Sequence, residues 1–206
     1  MDALPFTAQL INVFAAVLLL LSFAMLAQRR ILSLVDLLAW QGAALVGSTL
    51  AVAYSTGQQH LYYSAALTLA LKVILVPLVL HRLIRRLAVR WDTEPLLNIP
   101  ATMIVGLALV VFSFGLAQPI SALASTVTRS TLGIAIAVVM LSFLMMITRR
   151  KAISQVIGFL AMENGLFFAA TSATYGMPMV VELGVALDVL VGVVILGIFF
   201  FQIREQ

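Results

Sequence analysis

Cysteine is absent from this chain of 206 residues. Its absence excludes disulfides, thiolate-bound metals and iron–sulfur ligation by the chain itself. Charge is scarce too: charged residues make up 10% of the chain against 63% hydrophobic ones. A soluble domain of this length would need far more polar surface. Histidine occurs twice, as His60 and His81. The pattern of apolar runs places these two at opposite membrane faces, so they cannot share a haem. Phosphate-binding loops, zinc-ligand spacings and catalytic triads are missing as well. The sequence therefore predicts no cofactor, no metal and no catalytic activity for the chain alone.

Long apolar stretches dominate what is there. About seven runs, near 6–27, 31–54, 61–81, 98–117, 132–148, 152–174 and 177–201, are long enough to cross a bilayer as helices. They lack the alternation of barrel strands, and a backbone in lipid must satisfy its own polar groups. The expected fold is an all-α integral membrane protein with about seven transmembrane helices. No positive region precedes the first run, which reads as a membrane helix rather than a cleaved signal peptide. The nine methionines read as apolar filler, and Tyr54, Tyr62, Tyr63 and Trp91 suit interfacial belts.

The basic residues set an expected orientation. Arg29 and Arg30 follow the first run, and Arg82, Arg85, Arg86 and Arg90 follow the third. Arg149, Arg150 and Lys151 follow the fifth, and Arg204 follows the seventh. Ten of the twelve Lys and Arg thus fall on one side, leaving Arg129 opposite and Lys72 within a span. The positive-inside rule puts the N-terminus outside and the C-terminus in the cytoplasm. The net charge of +4 is thereby a topology signal, and no nucleic-acid partner is expected.

An internal repeat is suggested by two stretches. Gln28-Arg29-Arg30 leads into Ser33, Val35 and Ala39-Trp40-Gln41-Gly42, while Thr148-Arg149-Arg150 leads into Ser154, Val156 and Ala161-Met162-Glu163-Asn164-Gly165. Ala70-Leu71-Lys72-Val73 then matches Ala186-Leu187-Asp188-Val189. The implied organisation is a three-helix repeat with a cytoplasmic linker over 1–97 and a connecting helix with an outer loop over 98–131. A second, parallel three-helix repeat follows over 132–206. The match needs single-residue gaps, and chance is the competing explanation. The basic stretch after Arg82 either continues the third helix or lies along the interface.

Asp36, Lys72, Glu163, Glu182 and Asp188 lie inside apolar runs. At the bilayer centre each such charge costs roughly 2.5–3.5 kcal/mol on the gentler insertion scale, so retaining them points to handling of protons or ions. Counting along the runs puts Glu163, Asp188 and Lys72 at one level, roughly 16 Å deep, as a polar layer near the midplane. Glu163, beside Asn164, is the strongest proton carrier of the set; a structural hydrogen bond to a neighbouring helix is its bland alternative. Lys72 and Asp188 occupy matching places in the repeat, and either pair with each other or serve separate hydrated paths. Pro77 cannot donate to the Val73 carbonyl, which favours a kink and water beside Lys72. Glu182 lies toward the outer surface, Asp36 and His81 toward the cytoplasmic one, as entry or exit groups or as solvated boundary residues. Gln41 reads as a helix-to-helix hydrogen bond.

The stretch Arg149-Arg150, Gln155-Val156-Ile157-Gly158-Phe159 and Met162-Glu163-Asn164-Gly165 resembles hydrogenase-4 component E. So do Glu182-Leu183-Gly184-Val185-Ala186-Leu187-Asp188 and Leu71-Lys72-Val73-Ile74-Leu75-Val76-Pro77 followed by His81-Arg82-Leu83. The C-terminal half of that family is similar to the K-type subunit of complex I and of multisubunit sodium/proton antiporters. The resemblance covers most of the chain. It implies a membrane subunit of a group 4 nickel–iron hydrogenase or related redox complex, with antiporter-like and quinone- or hydrogenase-module-like proteins as partners. K-type subunits carry their first glutamate about one turn earlier, where Leu160 stands here, so its role passes to Glu163 by neighbourhood. Asp188 stands where the second K-type glutamate falls, with Gly192 one turn later. A stand-alone secondary transporter and a purely structural membrane subunit are the rival readings.

Overall fold

The computed structural model describes residues 6–86, 98–121 and 126–174. The expected span at 177–201, with Glu182 and Asp188, lies outside the described residues, as do Trp91 and most of the basic linker. The described chain is helical, in the order α1 (Phe6–Ala27), α2 (Ile31–Thr56), α3 (Gln59–Thr68), a π-helical segment (Leu69–Leu75), α4 (Val76–Arg86), α5 (Ile99–Ser121), α6 (Thr126–Thr148) and α7 (Ala152–Thr174). From α3 to α4 the backbone is one continuous span. Six described spans are thus long and apolar enough to cross a membrane.

Charge and glycine set the span ends. Between α1 and α2, Gln28 Oε1 accepts from the Arg29 and Arg30 amides at 3.0 and 3.2 Å, so one side chain holds the turn. Gly57 closes α2 with φ of 67°, a left-handed value that glycine takes without a Cβ clash, and its amide donates to Ala53 O at 2.9 Å. Between α6 and α7, Gln155 Nε2 donates to Arg149 O at 2.9 Å.

Helices α1, α2, α6 and α7 form the centre of the bundle; the α3–α4 span leans on α2, and α5 leans on α6 and α1. The outer surface is apolar, as Ile104, Leu107 and Val111 on α5 illustrate, which suits a face turned to lipid. Two apolar clusters fill the interior. One, toward the ends bearing the basic turns, gathers Met25, Leu34, Leu38, Leu80, Met145 and Ile157. The other, toward the opposite ends, gathers Leu18, Leu45, Val52, Leu61, Val138 and Phe168. Gln41, Lys72, Glu163 and Asn164 lie along their helices between the two clusters.

Arg149 lies in the turn between α6 and α7, where the sequence places it, and it also reaches across the bundle. It is 3% exposed, and its Nη2 donates to Gln28 O at 2.6 Å and Leu26 O at 3.1 Å. These carbonyls end α1, where a helix leaves acceptors unsatisfied and carries partial negative charge. The guanidinium thus fastens the α6–α7 turn to the α1–α2 turn. Arg150, beside it, is exposed.

Candidate functional site

Lys72 sits within the π-helical segment, where backbone bonds run five residues back instead of four; the Val76 amide donates to Leu71 O. Pro77 follows directly. The local disturbance expected at Val73 therefore takes the form of a π segment spanning that residue. One glycine lets this widened turn come close to α2. A Cβ on Gly42 would lie 3.3 Å from both Lys72 Cβ and Val73 Cγ2, tighter than nearly all real contacts.

The lysine reaches past α2 to α7. Lys72 Nζ lies 3.7 Å from Glu163 Oε1, and the two residues are 6% and 2% exposed. The ammonium also stands 5.6 Å from the centroid of the Phe167 ring, one helical turn beyond Glu163, in a cation–π arrangement. At 3.7 Å the pair is in ionic contact but beyond ordinary hydrogen-bond length. Leu38, Leu71, Val76, Leu160 and Asn164 join the pair in lining a small cleft. Its free space of about 10 Å³ is just enough for one water molecule.

A line of amides runs from Glu163's neighbour across the bundle. Asn164 Nδ2 donates to Gln41 Oε1 at 3.2 Å, Gln41 Nε2 donates to Ser22 Oγ at 3.0 Å, and Ser22 Oγ donates to Leu18 O at 2.9 Å. All three side chains are buried, so α7, α2 and α1 are joined at the level of the ion pair. Asn164 Oδ1 has no hydrogen-bond partner among the described residues.

Asp36 and His81 meet at the end of the bundle that carries the basic turns. His81 Nε2 lies 3.3 Å from Asp36 Oδ1, and His81 Nδ1 lies 2.9 Å from Pro77 O. The carboxylate orients the ring from one side and the π-distorted span from the other. Of the six residues singled out from the sequence, four thus form two pairs: Lys72 with Glu163, and His81 with Asp36. Among the described residues Lys72 meets Glu163; Asp188, its expected counterpart, lies outside them. The π segment, the Gly42 contact and the buried clamp of Arg149 were not foreseen. Pro77 after a lysine in an apolar run was the available hint for the first.

The chain is 33% identical over 197 residues to the uncharacterized protein Rv0085 of Mycobacterium tuberculosis, covering 95% of this chain and 90% of that one. It belongs to that protein's family. It is also similar to hydrogenase-4 component E of Escherichia coli K12 and of Shigella flexneri, at 28% identity over 140 residues. That alignment covers 68% of this chain and 64% of those proteins, so the chain spans just under two thirds of their length. No protein-family model matches the chain, and no solved structure matches it significantly.

Proposed function

We infer that this chain is a membrane-arm subunit of a hydrogenase-like or complex I-like redox complex and relays protons through intramembrane carboxylates. The observation that carries this reading is the buried Lys72–Glu163 pair beside a cleft sized for about one water. Similarity to hydrogenase-4 component E supports the setting. A buried carboxyl facing an ammonium has two charge states close at hand: an ion pair, and a neutral acid that has taken up a proton. Lys72 acts on Glu163 electrostatically, and a proton arriving at the site neutralises the acid and releases the lysine. The low-dielectric surroundings make each change of charge felt strongly by its partner.

In this reading Asp188 exchanges protons with Glu163, and Glu182 serves the outer connection. Asp36 and His81 serve the cytoplasmic one, given the orientation that places the basic turns in the cytoplasm. The redox centres and any quinone belong to partner subunits. The chain's own contribution is a proton path whose occupancy its partners drive.

Glu163→Gln tests the relay. The substitution keeps the shape of the side chain and removes its ability to ionise. In the intact complex, reconstituted in vesicles, proton translocation is expected to fall to background while the complex still assembles. Unchanged translocation would remove Glu163 from the relay and leave a structural subunit. Copurification in mild detergent tests the setting: antiporter-like and hydrogenase-like subunits are expected with the chain. If the chain purifies alone and transports by itself in liposomes, the subunit reading fails.

A further inference from the structure

Most hydroxyl groups buried in this bundle satisfy themselves on their own helix. Ser22, Thr49, Ser113, Ser142, Thr148 and Ser172 each donate to the carbonyl four residues earlier, at 2.5 to 2.9 Å. That is the ordinary solution for Ser and Thr in a membrane helix, because it needs no partner elsewhere. Ser64, Thr68 and Ser48 do otherwise. They are 6%, 0% and 0% exposed, and their hydroxyl oxygens have no hydrogen-bond partner among the described residues. Ser154 shares that state, but it lies in the first turn of α7, at the far end of the bundle.

The positions of these groups are ordered. Ser64, Thr68 and Lys72 follow one another at intervals of four residues, one turn apart on a single face, with half-buried His60 one turn earlier in the first turn of α3. Helix α2 runs antiparallel to α3. With Gly42 set against Lys72, Ser48 falls about level with the turn between Ser64 and Thr68. Buried Gln58 Oε1, at the N-cap of α3, likewise has no hydrogen-bond partner among the described residues. On the other side of Lys72 the buried face of the same span is apolar, with Val76, Leu80 and Ile84 packed among Leu38, Leu160 and Ile157.

We propose that Ser64, Thr68 and Ser48 line a hydrated path that connects the Lys72–Glu163 pair to the membrane face opposite the basic turns. The ligand of this site is water. Unpaired buried hydroxyls are costly in a dry interior and are satisfied by water held between two or more of them. Serine and threonine both donate and accept, so a file of water and hydroxyls can pass a proton in either direction. The apolar residues beyond Lys72 close the path toward the basic turns. Access to the pair is therefore one-sided, and Asp36 with His81 stands beyond the closure. This deepens the relay reading by giving it an outer inlet.

The cysteine-free chain makes a direct test simple. Ser64→Cys and Thr68→Cys are made one at a time in the full chain within its native membrane complex. Ala161→Cys and Ala135→Cys, in the two apolar clusters, serve as dry references. Silver ions in chloride-free buffer are added to one side of sealed vesicles. Thiols left unreacted are then counted with a maleimide dye after denaturation. A thiol binds metal as the thiolate, which forms where water reaches it, so the stripe positions are expected to react roughly tenfold or more faster than the references. Fast reaction is expected only from the face opposite the basic turns.

Rates equal to the references overturn the path, and equal rates from both faces overturn its one-sidedness. Ser64→Cys changes one atom, so a folded variant is available even if Thr68→Cys fails to assemble. The readout does not depend on proton pumping. Fast labelling together with intact translocation in Glu163→Gln keeps the wet path and sinks the relay. Slow labelling with translocation lost in Glu163→Gln does the reverse.

Discussion

Lys72 meets Glu163 at 3.7 Å with side chains 7% and 3% exposed, whereas His81 meets Asp36 at 3.3 Å with side chains 30% and 61% exposed. Both pairs join an acid to a base, and both use the same π-distorted span. The first is enclosed between helices α2 and α7 and has Phe167 over its cation. The second is open at the end of the bundle. Distance alone would rank the second as stronger. Burial reverses the order, because the field between two charges grows as the surroundings lose water. The enclosed pair is suited to holding and releasing charge; the open one is suited to exchange with solvent.

The largest effect is expected from breaking the enclosed pair on one side. Lys72→Leu leaves Glu163 buried without its ammonium neighbour, and such losses cost about 3–5 kcal/mol. Thermal unfolding of the detergent-solubilised complex should show this as a marked drop, or the chain should fail to accumulate in the membrane. Replacing both members, Lys72→Met with Glu163→Leu, removes the stranded charge and should recover most of that stability, since buried pairs are often replaced without loss. Translocation should stay absent in the double variant. Recovery of both would collapse the difference between the two pairs.

A smaller effect should follow from filling the contact that sets the enclosed pair. Gly42→Leu places side-chain atoms where Lys72 and Val73 already stand. Overpacking of this kind typically costs about 1–3 kcal/mol, and the displaced π segment should carry Lys72 away from Glu163. Unfolding midpoints and translocation should fall together. Unchanged values for both would mean that the helices part without moving the lysine.

The smallest effect belongs to the open pair. Asp36→Asn removes a charge that is mostly in contact with solvent, so stability should change by about 0–1 kcal/mol and less in high salt. Complex assembly should be normal. A loss as large as that of Lys72→Leu would show that Asp36 is enclosed by a partner subunit, and the contrast would vanish.

The sequence exposed the spans because charge is so rare in it. Arg30, Arg149 and Lys151 mark ends that the helices respect within a few residues, and α7 runs over 152–174, as expected from the apolar run. Gln41 was legible as a helix-to-helix contact, since an amide in an apolar run has few other uses. Depth counting also placed Lys72 and Glu163 at one level. It could not say which acid the lysine would meet, because level is read from helix rise and pairing depends on the rotation of α3–α4 against α2. That rotation is set by the π segment, whose cause, Pro77, lies outside it. The clamp of Arg149 was hidden for a related reason: a guanidinium beside an apolar run shows no second role until the α1 carbonyls are brought to it.

The π segment also acts as the phase setter of its span. A turn wound with an extra residue advances the chain without advancing the face, so the surface before Leu69 and the surface after Leu75 are offset relative to an unbroken α-helix. Rewinding the same residues 69–75 as regular α-helix, with none deleted, would swing everything after them by about 100°. His81 would then leave Asp36, while Ser64 and Thr68 kept their places against α2. The winding of this short stretch, more than the identity of its aliphatic residues, keeps both ends of the span addressed to the same neighbour.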